Sequence, residues 1–291
     1  MKELVRRLAL AAFTPLDRVG VHLLPKHYYS PVPDRAWLRA HPGAWRGPVR
    51  LPWDLDAQLT WLQEVVAGEV GAESYERFTA RGLGLGFGLV EYLVLDGFLR
   101  SRRPQRIVEV GGGVTTGVIV EALPEASVTT IEPYPSPALR ALERVKLVEE
   151  PAQLVPFETF LGLDKGDLLF IDSTHVVKTG SEVLRIYLEI LPALAPGIYV
   201  HVHDVTLPYL YHRTFGRDWF DWQETSLVLA LLTGSERLET LCCLSALHYA
   251  RQAELRALFP EYRPQRELAD GLSDPTDQHG HFPSSLWLRT R

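Results

Sequence analysis

The chain has 291 residues, of which 46% are hydrophobic and 23% charged, and its formal net charge is -6. This is enough apolar sequence to bury the core of one large domain, or of one domain with an appendage, and it excludes disorder for most of the chain. The acidic balance provides no global attraction to nucleic acid or anionic lipid, so we expect neither nucleic acid nor a membrane as a partner. The N-terminal MKELVRRLALAAF lacks a signal-peptide cleavage site, and no stretch reaches about 18 uncharged apolar residues. We therefore expect a cytoplasmic protein.

The first 80 residues predict an irregular region with short helices, one of them over 57–66. Proline and aromatic residues cluster there, in HYYSPVPDRAW and HPGAWRGPVRLPW, without sustained periodicity. Such a region either caps a site or wraps a core. We divide the chain into an N-terminal cap region, 1–80, and a main domain, 81–291, and Tyr28 and Tyr29 are candidates for ligand contacts from the cap.

From residue 86 onward, helices and strands alternate. The patterns predict helices over 86–100, 117–123, 137–144, 155–161, 178–194 and 222–232, and strands over 106–110, 127–132, 145–149, 167–172 and 198–204. Strands rich in Val, Ile and Leu with helices between them indicate parallel pairing, with both sheet faces covered. A strand in LETLCCLSALHYA, a helix in AELRALF and a last strand in SLWLRTR follow. The fold class is therefore a doubly wound α/β sheet, in which the last two strands pair at the edge, one of them antiparallel.

The sequence EVGGGVTTG, from Glu109 to Gly117, lies where the first strand turns into a helix. Three glycines let the backbone approach a ligand closely, although a tight turn can need glycine for steric reasons alone. A carboxylate at Glu109 would repel a pyrophosphate but would favour a ligand with an ammonium or sulfonium charge. Glu132 ends the next strand, about 20 residues further on, where an acid typically binds ribose hydroxyls. The alternative for Glu132 is a merely solvated side chain.

These features resemble the class I S-adenosylmethionine-dependent methyltransferases, and within them a branch similar to small-molecule O-methyltransferases. The resemblance rests on HYYSPVP, RIVEVGGGVTTG, TIEPYPS, DLLFIDSTHVVKTGSEV, ILPALAPGIYVHVHDVTLP and SLWLRTR. It implies a seven-stranded Rossmann-like sheet and S-adenosylmethionine as the cofactor. The contacts it implies come from Glu109, Gly111, Gly113, Glu132 and, beside the adenine, Tyr134. The chain departs from this branch at Gly112, where serine is common, and at Val114, where an aromatic residue is common.

Asp172 and Asp204 end two strands that such a sheet places side by side, next to the glycine turn. His175 follows Asp172 by three residues, and His203 precedes Asp204. We expect His175, His203 and Asp204 to act in catalysis, because methyl transfer to oxygen needs a group that weakens the acceptor proton. A divalent metal can serve the same purpose, and Asp172, His203 and Asp204 are its candidate ligands. Carboxylates alone favour magnesium, whereas imidazole suits zinc, iron or manganese better.

Each candidate also has a structural interpretation. His201 and His203 should share a strand face that Asp204 does not, and the deeper His201 fits a core histidine. Asp172 could cap the following helix. The aromatic segment 207–223 could shape an acceptor pocket or simply be a packed loop.

We therefore predict an S-adenosylmethionine-dependent methyltransferase acting at oxygen on a small-molecule or sugar-like acceptor. The alternatives are a metal-dependent hydrolase or oxygenase built on His-x-His-Asp, and a non-catalytic cofactor-binding protein. The oligomeric state does not follow from the sequence.

Overall fold

The computed structural model of the protein describes residues 2–22, 24, 29–68, 72–84, 86–211 and 221–291. The chain divides into two compact units, Met1–Gly47 and Pro48–Arg291. Within the described residues, no helix combines the length and apolar character that a membrane crossing requires.

The first unit contains two helices and a single 3-10 turn among its described residues. These are α1 (Lys2–Asp17), α2 (Arg35–Ala40) and the turn Pro42–Ala44. Helix α2 begins where the Asp34 carboxylate accepts hydrogen bonds from the amides of Ala36 and Trp37, which have no partners inside the helix. Tyr29 lies in this unit and is 80% exposed. Tyr28 lies outside the described residues, and ligand contacts from either tyrosine stay predictions.

The second unit contains the seven strands β1 to β7 and the helices α3 to α13. The strands are β1 (Arg106–Val110), β2 (Ser127–Ile131), β3 (Val145–Val148), β4 (Leu168–Ile171), β5 (Tyr199–Val202), β6 (Leu238–Cys243) and β7 (Leu286–Thr290). The helices before β4 are α3 (Leu55–Val65), α4 (Ala72–Thr79), α5 (Leu89–Arg102), α6 (Val114–Ala122), α7 (Pro137–Arg140) and α8 (Phe157–Leu161). The later helices are α9 (Glu182–Arg185), α10 (Leu191–Ala193), α11 (Glu224–Gly234), α12 (Leu244–Ala250) and α13 (Gln252–Leu258), and a π-helical turn, Ile186–Ile190, joins α9 to α10.

The strands form one sheet in the order β3-β2-β1-β4-β5-β7-β6. Strands β1 to β5 pair in parallel, whereas β7 lies antiparallel between β5 and β6. The predicted doubly wound α/β sheet with an antiparallel edge is therefore confirmed. The order reverses between β1 and β4, and this switch point is where open α/β sheets bind ligands.

Apolar side chains cover both faces of the sheet, as the near-continuous hydrophobic strands predict. In β4, Leu168 and Phe170 belong to one core cluster, and Leu169 and Ile171 belong to the other. Alternation along a strand produces this division, because successive side chains point to opposite faces. The rigid sheet fixes the carboxyl ends of β1, β2, β4 and β5 relative to one another.

Several predicted helices differ from the structure in their limits: the helix expected over 137–144 ends at Arg140, and the helix expected from 117 begins at Val114. The helix expected over 178–194 begins only at Glu182, because the Ser181 hydroxyl accepts a hydrogen bond from the Leu184 amide and caps α9 there. Residues 172–181 are therefore a loop that contains His175. The run LSALHYA, expected to continue a strand, forms α12, since a short apolar run fits a buried helix as well as a strand.

Candidate functional site

The glycine turn after β1 has a backbone that only glycine can adopt at its first position. Gly111 has φ +87, and a Cβ atom there would clash with the carbonyl oxygen of Asp172. At Gly112 a Cβ would clash with the side chain of Thr130. The turn leads into α6, whose first residue is Val114. The backbone of the turn can therefore approach a ligand closely, next to the first residues of α6.

Glu109 is fully buried beneath this turn. Its two carboxylate oxygens accept hydrogen bonds from the hydroxyls of Thr115, Thr116 and Thr130 at 2.6 to 2.7 Å. Thr116 in turn accepts a hydrogen bond from the Gly113 amide. Burial raises the pKa of Glu109 to about 7, although the three threonine hydroxyls oppose that shift. The structure thus gives Glu109 a role in holding the glycine turn, and a cofactor contact stays a prediction.

Glu132 stands at the carboxyl end of β2, on the other side of the turn. Its carboxylate accepts hydrogen bonds from the amides of Gly112, at 3.3 Å, and Tyr134, at 2.8 Å. A cavity of about 80 Å³ lies between the turn and Phe87, and Glu132 and Asp172 line it. Tyr134 is 88% exposed. The predicted cofactor residues Gly111, Gly113 and Glu132 therefore surround or border one space, with the Tyr134 ring in solvent.

Asp172, His203 and Asp204 meet at the ends of β4 and β5. Nδ1 of His203 lies 3.2 Å from Oδ1 of Asp172 and 3.7 Å from Oδ2 of Asp204. One potential ligand atom from each of the three residues lies within 4.8 Å of the other two. The expectation that Asp204 faces away from His203 is wrong, because Asp204 follows the end of β5 with φ +54, and strand alternation does not apply there. The hydroxyl of Ser284 lies 3.1 Å from the other carboxylate oxygen of Asp204.

His175 reaches the same two aspartates from the loop after β4. Its Nε2 lies 3.5 Å from both Oδ1 of Asp172 and Oδ2 of Asp204, and its Nδ1 lies 2.6 Å from Oε2 of Glu224. The ring is buried and packs 4.7 Å from the ring of Trp222. The structure therefore brings together the three predicted catalytic residues and the three predicted metal ligands.

A second buried glutamate, Glu91 in the first turn of α5, borders the cluster. Its Oε1 accepts hydrogen bonds from the amide and hydroxyl of Ser284 and from the hydroxyl of Ser285. The same oxygen lies 3.2 Å from Nε2 of His203. Its other oxygen accepts a hydrogen bond from the Gly88 amide. Glu91 thus ties the start of α5 to the residues just before β7, directly beneath the cluster.

Negative charge dominates this centre. It contains two imidazoles, of His175 and His203, and four carboxylates, of Glu91, Asp172, Asp204 and Glu224. Among the described residues, no lysine or arginine forms an ion pair with any of the four. Within the described residues, acidic groups therefore outnumber basic groups at this centre, and such an excess in a largely buried site favours a bound cation.

The carboxylates shift the titration of both histidines. Burial alone would lower the pKa of His175, but Asp172 and Glu224 outweigh burial and raise that pKa to about 10. Asp172 and Asp204 likewise raise the pKa of His203 despite its burial. Burial alone would raise the pKa of Asp172, yet the two histidines lower it below its ordinary value. The surrounding carboxylates therefore favour the protonated form of both imidazoles.

The structure supports a purely structural role for His201 but not the helix-capping role for Asp172. His201 is fully buried, stacks on Phe170 at 4.1 Å and makes a 2.8 Å hydrogen bond to Ser285, so the core interpretation is confirmed. The alternative in which Asp172 caps a helix is wrong, because Ser181 caps α9. In the segment 207–223, Tyr209 is buried against Tyr249, as a packed loop requires. The basic and aromatic residues at 212–220 lie outside the described residues, so the acceptor pocket stays a prediction.

Sequence reasoning missed Glu91 and Glu224. Each lies in the first turn of a helix, where an acidic residue is common because it complements the helix dipole. The pattern therefore carries no signal of a site. The fold alone brings each glutamate to its hydrogen-bond partners, which are 49 or more positions away in the sequence.

The matched segment of the chain and the fold agree on the class of protein. Residues 108–205, about a third of the chain, match a family model described as a methyltransferase domain. This segment runs from β1 to just beyond β5 and includes the glycine turn, Glu132, Asp172, His175, His203 and Asp204. The seven-stranded sheet and its strand order are those of the class I methyltransferases. Residues 108–205 are therefore similar to a methyltransferase domain, and the predicted class I methyltransferase fold is confirmed.

Solved structures of methyltransferases show weak similarity to the chain. The S-adenosylhomocysteine-bound methyltransferase PaMTH1 of Podospora anserina is 17% identical at a TM-score of 0.42, over 93% of this chain and 99% of its own. An O-methyltransferase from Bacillus cereus, also bound to S-adenosylhomocysteine, is 14% identical at a TM-score of 0.42, over 80% of this chain and 96% of its own. No curated protein sequence matches this chain.

Proposed function

We propose that the protein transfers a methyl group from S-adenosylmethionine to an oxygen atom of a small-molecule or sugar-like acceptor, with assistance from a divalent metal. The observation that carries the proposal is the position of two groups of residues at one sheet edge. The glycine turn and Glu132 lie beside the anionic cluster of Asp172, His175, His203 and Asp204, with Asp172 lining the cavity at the turn.

The first group suits the cofactor. The close backbone approach at Gly111 and Gly112 fits the amino-acid portion of S-adenosylmethionine, and Glu132 fits its ribose hydroxyls. The excess negative charge beside the turn attracts a sulfonium cation and orients it toward the cluster. Orientation of this kind supports the in-line approach that methyl transfer requires.

The second group suits deprotonation of the acceptor. His175 and His203 can exchange a proton with a hydroxyl placed at the cluster, and a cationic ligand beside Asp172 and Asp204 lowers the raised pKa of both imidazoles toward neutrality. Asp172, His203 and Asp204 offer a mixed oxygen and nitrogen donor set, which fits a divalent metal and would hold it. When bound, such a metal would lower the pKa of an acceptor hydroxyl.

Isothermal titration with S-adenosylhomocysteine tests the cofactor site. We expect binding by the wild type and a loss of at least about tenfold in Glu132→Ala, because that variant lacks the ribose acceptor. Glu149→Ala is the matched control, since Glu149 also follows a strand end but is half exposed and pairs with Arg140. Equal affinity in the wild type and Glu132→Ala would contradict this placement, and no binding at all would contradict the proposed function.

A further inference from the structure

The first turn of α11 holds His175 from several directions. The amides of Gln223 and Glu224 lie 3.1 and 3.3 Å from the carbonyl oxygen of His175, which accepts hydrogen bonds from them. The side-chain oxygen of Gln223 accepts a 3.3 Å hydrogen bond from the Val177 amide. The Trp222 ring packs against the imidazole. Trp222, the N-cap residue Gln223 and Glu224 therefore together hold this part of the loop after β4.

His175 also has a strained backbone. Its φ is +60, a left-handed conformation that costs a residue other than glycine about 1 kcal/mol. Such strain persists only where the surroundings determine the conformation, and it concentrates at functional sites. Here the contacts with α11 and the residues just before it hold His175 in this conformation.

The short contact with Glu224 sets the orientation of the imidazole. Glu224 is 2% exposed, and its 2.6 Å contact with Nδ1 makes that nitrogen a donor. Nε2 is thereby left facing Asp172 and Asp204, at 3.5 Å from an oxygen of each. A buried carboxylate on the outer nitrogen of a histidine is the arrangement that orients imidazole ligands in metal sites.

We propose that Glu224 is a positioning residue that directs Nε2 of His175 into the anionic cluster as an additional nitrogen donor for a transition-metal dication. The inference rests on the proposed function and makes it more specific, because with both imidazoles bound to the metal it is the metal that would lower the pKa of the acceptor hydroxyl, in place of a histidine base. A cluster of Asp172, His203 and Asp204 alone offers one nitrogen, whereas His175 adds a second. Two imidazole donors favour Mn²⁺ over Mg²⁺, because Mg²⁺ prefers oxygen ligands.

Metal titrations of the full-length protein test the proposal without an acceptor. Mn²⁺ affinity would be measured from the free-ion electron paramagnetic resonance signal, and Mg²⁺ affinity from competition with Mn²⁺. We expect Glu224→Ala to weaken Mn²⁺ binding about 10- to 100-fold, as loss of such an outer carboxylate does, and to weaken Mg²⁺ binding much less. The Mn²⁺ affinity of Glu224→Gln should lie between those of the wild type and Glu224→Ala, because its amide oxygen can still accept a hydrogen bond from Nδ1.

Asp167→Asn is the matched control. Asp167 is also a buried carboxylate, but it accepts hydrogen bonds from the amides of Arg106 and Asp164 at the amino end of β4, opposite the cluster. We expect its metal preference to equal that of the wild type. Should Glu224→Ala fail to fold, His175→Gln removes the same nitrogen donor and should show the same loss of Mn²⁺ preference.

Titration with S-adenosylhomocysteine separates this inference from the proposed function. Two results would overturn this inference alone, provided that the wild type binds S-adenosylhomocysteine. The first is that the wild type does not bind Mn²⁺. The second is that Glu224→Ala and His175→Gln keep the wild-type preference for Mn²⁺. Failure of the wild type to bind S-adenosylhomocysteine would overturn the proposed function. An unchanged affinity for S-adenosylhomocysteine in the variants, with the Mn²⁺ preference lost, would support both.

Discussion

At the scale of single residues, Gly111 is the described glycine at which an added side chain would clash most severely. Its positive φ costs a substituted residue about 1 kcal/mol, and the overlap of a Cβ atom with the Asp172 carbonyl adds several more. We expect Gly111→Ala to reduce the free energy of unfolding by roughly 3 to 5 kcal/mol, measured by urea denaturation. Gly166→Ala is the control, because Gly166 has φ +91 but open space around it, and it should lose only about 1 kcal/mol. Equal losses would show that the turn can shift.

Glu109 makes the stability of the protein depend on pH. Its pKa is about 7 in the folded protein against 4.5 for the ordinary group, so the folded state holds the proton more tightly. The stability contributed in this way is complete below pH 4.5 and is lost as pH rises to 7 and above, in total about 3 kcal/mol.

The variant Glu109→Gln isolates this contribution because it cannot titrate. We expect its stability relative to the wild type to increase by about 3 kcal/mol between pH 4.5 and pH 8, measured by urea denaturation at each pH. The constant offset between the two proteins reports the altered hydrogen bonds to the threonines. A difference that does not change with pH would mean that the three hydroxyls keep Glu109 ionised throughout.

At the scale of elements, β7 completes the sheet by lying between β5 and β6. Its Trp287 is fully buried and contacts the rings of Phe98 and His201 at 4.4 and 4.7 Å. We expect Trp287→Ala to cost roughly 3 to 5 kcal/mol, since it leaves a large cavity beside the sheet. Trp37→Ala should cost under about 0.5 kcal/mol, because Trp37 is half exposed. A small loss at Trp287 would mean that the neighbouring rings close the cavity.

Most elements of the sheet follow from the sequence. The limits of β1 were predicted to the residue, and β2 to β5 within one or two, because continuous runs of Val, Ile and Leu have few other uses in an alternating α/β pattern. The limits of α9 were wrong by four residues, since Ser181 is one of several polar residues that could cap it. The helix α12 was missed because LSALHYA has no turn residue to separate it from β6.

The candidate site was only partly predictable. Asp172, His175, His203 and Asp204 stand in a motif at strand ends, so local sequence reveals them. Glu91 and Glu224 reach the cluster only through tertiary packing of α5 and α11, and no local pattern distinguishes them from ordinary first-turn acids. Alternation along a strand also gives no account of Asp204, because this residue follows the end of β5 and has a positive φ.

At the scale of the whole molecule, the second unit contains its own core. All buried residues of the two core clusters belong to Pro48–Arg291. We expect this fragment to unfold in one cooperative thermal transition, within about 5 °C of the full chain, measured by circular dichroism. A fragment without cooperative unfolding would show that Met1–Gly47 contributes to the core.

The most direct test of the central claim is a crystal structure of the protein with S-adenosylhomocysteine and Mn²⁺. The account predicts ribose hydroxyls on Glu132, the ligand backbone along the glycine turn, and the sulfur facing the cluster of Asp172, His203 and Asp204. Mn²⁺ should lie in that cluster with Nε2 of His175 among its ligands. S-adenosylhomocysteine bound elsewhere, or bound at the turn with its sulfur directed away from the cluster, would contradict the assignment of this sheet edge as the site of methyl transfer.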